Sequence, residues 1–274
     1  MLSSDLSKCS ETLGLDVIGY SHNQLDITNP IQVRDVIQSI KHDVVVNTTG
    51  ISVDECVNEP ENGYRLHSWA SGLVAAACEK IDATLIYIST CGLFGDKIKL
   101  YSEYDPVELK TKYSYSKYLG EQEARYNCRK TFVIRPGWLY GGTPAHQRNF
   151  VYQRYLEALN SPVLKSASDK FGSPTSTIDL SKAILNLLQT NAYGLYHITN
   201  SGIASRYDYV KCIVDAFEID ITVEPVDSSE FLRPSPVPNC EALSNLNLTF
   251  LGIEQPPPWQ EAIHSYVQEL RKVI

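Results

Sequence analysis

Short apolar runs rich in β-branched residues alternate along this chain with longer amphipathic segments, the pattern of a sheet with helices packed against it. The runs are Asp16–Tyr20, Val44–Asn47, Thr84–Ile88, Thr131–Arg135 and Leu195–Thr199, and helical periodicity covers Pro30–Ile40, Glu61–Lys80, Tyr113–Tyr126 and Ile178–Leu188. Each connection is long enough to return the next strand parallel to the last, which takes about a dozen residues or more. A doubly wound α/β fold with a parallel sheet is expected. After Gly141 the order loosens, and Pro225–Pro238, rich in Pro, Ser and acidic residues, reads as an irregular loop of a smaller lobe. The chain closes with Pro256-Pro-Pro-Trp259 and a helical pattern over Glu261–Lys272.

With 274 residues the chain can bury a large core, as one domain or as a main domain with a smaller lobe. A net charge of -8 and the lack of any Lys/Arg run leave no footprint for nucleic acid or an anionic membrane. The seven cysteines are scattered, odd in number and free of any C-x-x-C pair, so they read as reduced thiols without a disulfide frame or a zinc site. The start lacks a basic, then apolar leader, and no stretch approaches about 18 apolar residues. A soluble cytoplasmic protein is expected. Asn47-Thr-Thr49 and Asn247-Leu-Thr249 match the glycosylation pattern by chance in that compartment.

One short stretch carries chemistry. Tyr113-Ser-Tyr-Ser-Lys117 follows a strand ending at Ser89-Thr90 and precedes Arg135-Pro-Gly-Trp-Leu-Tyr-Gly141. A chain with 17 tyrosines should show about one Tyr-x-x-x-Lys by chance, and three occur. Tyr126/Lys130 and Tyr207/Lys211 lack a strand-end hydroxyl upstream and read as helix surface. Tyr113 and Lys117 share a helix face, so the ammonium can lie beside the phenol and lower its pKa. Such a phenol gives a proton to a carbonyl oxygen as hydride reaches the carbon. Ser89 or Thr90, at the carboxyl end of a strand where open α/β sheets place ligands, supplies the second hydrogen bond.

With these residues in view, the sequence resembles the extended short-chain dehydrogenases/reductases of the dTDP-4-dehydrorhamnose reductase type, over nearly its whole length. The matching pieces are Leu25-Asp-Ile-Thr28, Asp43-Val-Val-Val-Asn47, Val53-Asp54 with Glu59-Pro-Glu61, Ile88-Ser-Thr90, Tyr113 to Lys117 with Gly120-Glu121, and Arg135 to Gly141. Asn149-Phe-Val151, Gly172-Ser-Pro-Thr175, Gly194-Leu-Tyr-His197, Leu251-Gly-Ile253 and Pro258-Trp259 follow in order. The resemblance implies a Rossmann-like nucleotide-binding core over residues 1–141. Residues 142–274 would supply returning strands and helices and a lobe for a sugar nucleotide. It implies reduction of a 4-keto-6-deoxyhexose, on the route to dTDP-rhamnose, with NADPH or NADH. Gly19-Tyr-Ser-His22 offers no acid for a free 2′-hydroxyl, which leans toward NADPH.

By the same resemblance, Thr90 binds the substrate carbonyl, Tyr113 donates the proton, and Lys117 orients the ribose. Ser89, Cys91 and Trp138 line the substrate side. Asp26 and Ile27 meet the adenine, and Thr48, Thr49 and Ile51 pass over the cofactor. Asp26 reads equally as the start of a turn into the helix at Pro30; core is the commoner fate of a lone Trp, but the Arg-Pro-Gly and Tyr-Gly that flank Trp138 point to a site residue. No metal ligand set is expected, and a homodimer is. Three positions depart from the family. Cys91-Gly92 follow Thr90 where Asp-Tyr is usual, taking a carboxylate and a ring from the pocket. His67 stands where an Asn is usual. Met1 to Leu6 resembles the end of the glycine-rich turn, with Ser3 at the third glycine, so the first strand and two glycines are expected to be missing through an incomplete reading frame. The alternative implied by these departures is a non-catalytic regulatory subunit, like the β subunit of methionine adenosyltransferase, that binds the catalytic synthetase.

Overall fold

The computed structural model describes residues 1–274. Its central sheet has four parallel strands, β1 (Val44–Asn47), β2 (Thr84–Ile88), β3 (Thr131–Pro136) and β8 (Gly194–Ile198), in the order β1-β2-β3-β8. Side chains alternate across it with the period of two that a strand imposes. Leu85, Tyr87 and Val133 face helices α2 (Pro30–Ile40), α5 (Ala70–Lys80) and α6 (Lys112–Asn127). Ile86, Ile88, Phe132 and Ile134 face α1 (Leu2–Thr12), α8 (Thr177–Leu188) and α10 (Leu246–Phe250) on the other side. With both faces covered, a strand reads as an unbroken apolar run. Each large apolar side chain buried there contributes about 1.5–3 kcal/mol. A polar clamp adds to this packing: the buried Asp5 carboxylate accepts from Thr177 Oγ1 at 2.5 Å and from the Gly142 amide at 2.9 Å, tying α1 to the start of α8.

Two sequence expectations need correction. Asp16–Tyr20 forms no strand; it is coil, with Val17, Ile18 and Tyr20 exposed. A strand persists only where a neighbour takes its amides and carbonyls, and this segment makes no backbone hydrogen bond to β1, the strand at that edge of the sheet. The helix expected over Glu61–Lys80 is divided. It runs as α4 (Pro60–Tyr64), one π-helical turn at Arg65–Trp69, and then α5, preceded by a short α3 (Val53–Asn58) with a Ser52/Glu55 capping box. A π turn admits an extra residue per turn and re-aims the side chain it carries, here His67.

The remaining elements build a second body of smaller sheets. β4 (Trp138–Tyr140) pairs with β7 (Pro174–Ser176), β5 (Val163–Ala167) with β10 (Thr222–Val226), and β6 (Phe171–Gly172) lies between β9 (Ala204–Ser205) and β11 (Cys240–Glu241). Helices α7 (Phe150–Asn160), α9 (Arg206–Ala216) and α11 (Trp259–Leu270) close over them. Phe94, Tyr101, Trp138, Tyr140, Tyr209 and Trp259 fill an aromatic core. No helix is long and apolar enough to cross a membrane.

Candidate active site

The carboxyl end of β2 meets the first turn of α6. That turn is set by a capping box in which Thr111 and Ser114 satisfy each other's amides, and it presents Tyr113 to the strand end. The two neighbouring hydroxyls of β2 part ways. Ser89 Oγ donates at 2.5 Å to Glu121, whose carboxylate is gripped by Arg135 at 2.8 and 2.7 Å in a fully buried ion pair. Its hydroxyl is spent on the scaffold. Thr90 Oγ1 instead accepts from the Gly92 amide at 3.1 Å, which leaves its own proton free on the side of the Tyr113 phenol, whose ionised form it favours. Of the Ser89-or-Thr90 alternatives, Thr90 is the one placed with Tyr113.

Burial pushes the Tyr113 phenol well above its ordinary value, and the neighbouring Thr90 hydroxyl acts against that rise. Lys117, on the same helix face, is not among the main influences on it. Lys117 is only 3% exposed, and its ammonium donates to the Ile88 carbonyl at 2.5 Å and lies 4.5 Å from the centre of the Tyr87 ring. Burial brings its pKa down to about 8, with Glu121 opposing the fall. Only one of its three donors is used by the protein, which leaves two for a ligand at the strand ends.

His67, buried and held in the π turn, joins two parts of the site. Its Nε2 accepts from the Ile51 amide at 3.0 Å, so the ring proton sits on Nδ1 and is given to Ser116 Oγ at 2.8 Å, and Ser116 Oγ donates to the Tyr113 carbonyl at 2.9 Å. The His67 ring also meets the Tyr113 ring edge to face at 5.4 Å. Burial, assisted by the Lys117 charge, drops its pKa to about 3, so it stays neutral. In the sequence His67 stood out as a departure from the family's usual Asn; its chain of bonds ties the loop after β1 to α6. On that loop Thr49 Oγ1 donates to Asn47 Oδ1 at 2.6 Å, and Thr48 is exposed beside it. Asp26 accepts from the Thr28 amide and hydroxyl in a tight turn, and Ile27 is buried against α2 and α5.

On the lobe side, Trp138 is 8% exposed, and its ring is packed against protein. The Arg206 guanidinium lies 3.4 Å from its centre, and a Cβ at Gly172 would stand 2.2 Å from the indole. These contacts fix the ring that the resemblance places on the substrate side. Its indole N–H donates to Glu241 Oε2 at 2.6 Å. Cys91 turns inward, its thiol raised by burial, and does not border open space. Glu241 was missed: it lies 103 residues from Trp138 on a two-residue strand, and no local pattern singles it out. It also answers the expected loss of a carboxylate at Cys91-Gly92, because Glu241 Oε1 sits over Gly92, 3.0 Å from where a Cβ would be.

Comparison with known proteins agrees with this geometry. The family described as RmlD substrate binding domain matches residues 1–272. Spore coat polysaccharide biosynthesis protein SpsK of Bacillus subtilis is 32% identical over 98% of this chain and 94% of its own length. A dTDP-4-dehydrorhamnose reductase of Mycolicibacterium smegmatis is 30% identical over 97% and 82% respectively. Among solved structures, a Clostridium acetobutylicum dTDP-4-dehydrorhamnose reductase superposes with a TM-score of 0.94 at 29% identity, covering 98% of this chain and 96% of that one. The Bacillus anthracis dTDP-4-dehydrorhamnose reductase in complex with NADP gives 0.93 at 30% identity, over 98% and 95%.

Proposed function

The chain belongs to the RmlD substrate binding domain family, and on that footing we propose that it is an NADPH-dependent reductase of a dTDP-linked 4-keto-6-deoxyhexose, the reaction of dTDP-4-dehydrorhamnose reductase. The observation that carries the reading is the Thr90 hydroxyl, its proton free of any protein acceptor, set beside the Tyr113 phenol at the carboxyl end of β2, where α/β sheets hold their ligands. Two O–H groups converging on one point suit a carbonyl oxygen that gains charge. Tyr113 gives that oxygen its proton, and Thr90 holds it in line. A bound nicotinamide supplies the hydride. The donor set fits such a cofactor: the two unused Lys117 donors suit ribose hydroxyls, Thr48, Thr49 and Ile51 lie on the loop after β1, and Asp26 and Ile27 flank the turn assigned to the adenine. NADPH is favoured over NADH by the NADP complex of the Bacillus anthracis relative. Residues 1–141 would form the nucleotide core and 142–274 the returning elements and substrate lobe.

Reductase names among the relatives and the meeting of Thr90 with Tyr113 favour the enzyme over a regulatory scaffold like the methionine adenosyltransferase β subunit. The seven free cysteines, five of them buried, support a cytoplasmic setting, and a homodimer is the assembly to check by light scattering. The decisive test is Tyr113→Phe, assayed by NADPH oxidation with a dTDP-4-keto-6-deoxy sugar beside a thermal melt. Turnover should fall by about 10²–10⁴ with the melt unchanged. Retained turnover in a well-folded variant overturns the reading.

A further inference from the structure

Glu241 is half anchored. One carboxylate oxygen, Oε2, takes the Trp138 N–H at 2.6 Å, and the indole is itself fixed between the Arg206 guanidinium and the Gly172 backbone. The other oxygen, Oε1, has no hydrogen-bond partner in the protein. It has room because a side chain is missing: the point where a Gly92 Cβ would sit is 3.0 Å from Glu241 Oε1 and 3.5 Å from Thr90 Oγ1. A free anionic acceptor and the carbonyl-binding hydroxyl therefore border the same small space. A carboxylate oxygen placed this way accepts hydrogen bonds and offers none.

The geometry points to Glu241 as a specificity-determining residue that accepts a hydrogen bond from the hydroxyl on the carbon next to the ketone of the substrate. This rests on the reductase reading above. In a 4-keto-6-deoxyhexose the two neighbours of the ketone differ: one carbon carries a hydroxyl, and the other carries the methyl group. With the ketone oxygen held by Thr90 and Tyr113, Glu241 admits the hydroxyl-bearing flank and turns the methyl-bearing flank away, because a methyl against the carboxylate would strip it of water and offer no hydrogen bond in return. Choosing the flank fixes the ring's orientation, and with it the face of the ketone that meets the hydride. Glu241 thus sets the configuration of the new alcohol without touching the reacting atoms. Trp138 acts through it as a positioning residue.

The test compares wild type, Glu241→Gln and Glu241→Ala in the presence of NADP, by calorimetric titration with a dTDP-4-keto-6-deoxyhexose and with its 3-deoxy counterpart, and then by product analysis with NADPH. Wild type should bind the 3-hydroxy sugar about 10–100-fold tighter than the 3-deoxy sugar, the range for a charge-assisted hydrogen bond. Glu241→Ala should bring the ratio below about threefold, by loss on the 3-hydroxy sugar alone, and should yield both epimers at the new alcohol. NADP affinity should stay unchanged. If the alanine variant does not fold, Glu241→Gln carries the test, since its carbonyl still takes the Trp138 N–H while an NH₂ replaces the free acceptor; its ratio should fall several-fold. Equal weakening of both sugars, or an unchanged ratio with a single epimer, overturns the inference. Discrimination in binding without turnover by wild type removes the proposed reduction and leaves the role of Glu241. Turnover by wild type with discrimination untouched by Glu241→Gln does the reverse, and failure to bind either sugar overturns both.

Discussion

At the scale of single residues, Lys117 makes the sharpest pH prediction. Its charged form is disfavoured by burial, which lowers its pKa from 10.5 to about 8. Two observables should then move in opposite directions as pH rises. kcat/KM for reduction should fall above about pH 8, because the neutral amine no longer offers its full set of donors to the ribose. Stability contributed by this group should rise between pH 8 and 10.5, because over that window the unfolded chain holds a proton that the folded chain has released. The full term is about 3 kcal/mol. Lys117→Met should abolish turnover and flatten the dependence of Tm on pH across that window. A wild-type rate that is level to pH 10 contradicts the assignment.

At the scale of elements, the site depends on how closely α6 can approach the π turn. Gly120 faces that turn, and a Cβ there would lie 2.0 Å from the His67 carbonyl and 2.2 Å from the Tyr87 hydroxyl. That hydroxyl's one proton is shared between the carbonyls of His67 and Lys117, at 3.0 and 3.3 Å, so it bridges the two helices. One methyl group must push them apart. Gly120→Ala should cost about 1–3 kcal/mol or more of stability and should reduce kcat, since Tyr113 and Lys117 ride on the displaced helix. Leu119→Ala, at an exposed position one residue earlier, should leave both unchanged. A thermal melt and an NADPH oxidation assay on the two variants check this. A glycine variant as stable and active as wild type would mean that α6 does not need this contact.

Across the whole molecule, the two-faced burial of the sheet leaves two histidines without water. His67 and His197 are 1% and 0% exposed, and burial brings each down to about 3, helped by the charges of Lys117 and Arg135 respectively. Because the folded values lie below the ordinary 6.5, their stabilisation is complete above pH 6.5 and is lost as pH falls toward 3. At pH 5 each should cost about 2 kcal/mol relative to neutral pH, which lowers Tm by several degrees. His197→Phe should remove about half of that acid sensitivity. The Tyr101 carbonyl that accepts from His197 Nδ1 would keep its bond from the Ser244 amide at 2.9 Å. Melts between pH 7.5 and 5 test this; identical slopes for the variant and wild type would exclude His197 as a source.

What the sequence determined by itself is what short range can encode. The short apolar runs Thr84–Ile88 and Thr131–Arg135, the helical period of Tyr113–Tyr126 and the i, i+4 spacing of Tyr113 and Lys117 are local, so the sheet, its direction and the acid–base pair were legible. The tertiary structure alone decided the rest. Asp16–Tyr20 has the composition of a strand but no ladder partner, and β structure is a property of pairs of segments. Ser89 and Thr90 are adjacent hydroxyls of equal promise; the buried Glu121–Arg135 pair takes one and leaves the other to Tyr113. The Lys117 charge, placed by sequence beside the phenol, is drawn instead to the Ile88 carbonyl. Glu241 reaches the site from the far end of the chain, into space left by Gly92. Such convergence depends on which groups folding deprives of water and of partners, and that information is not carried by neighbours along the chain.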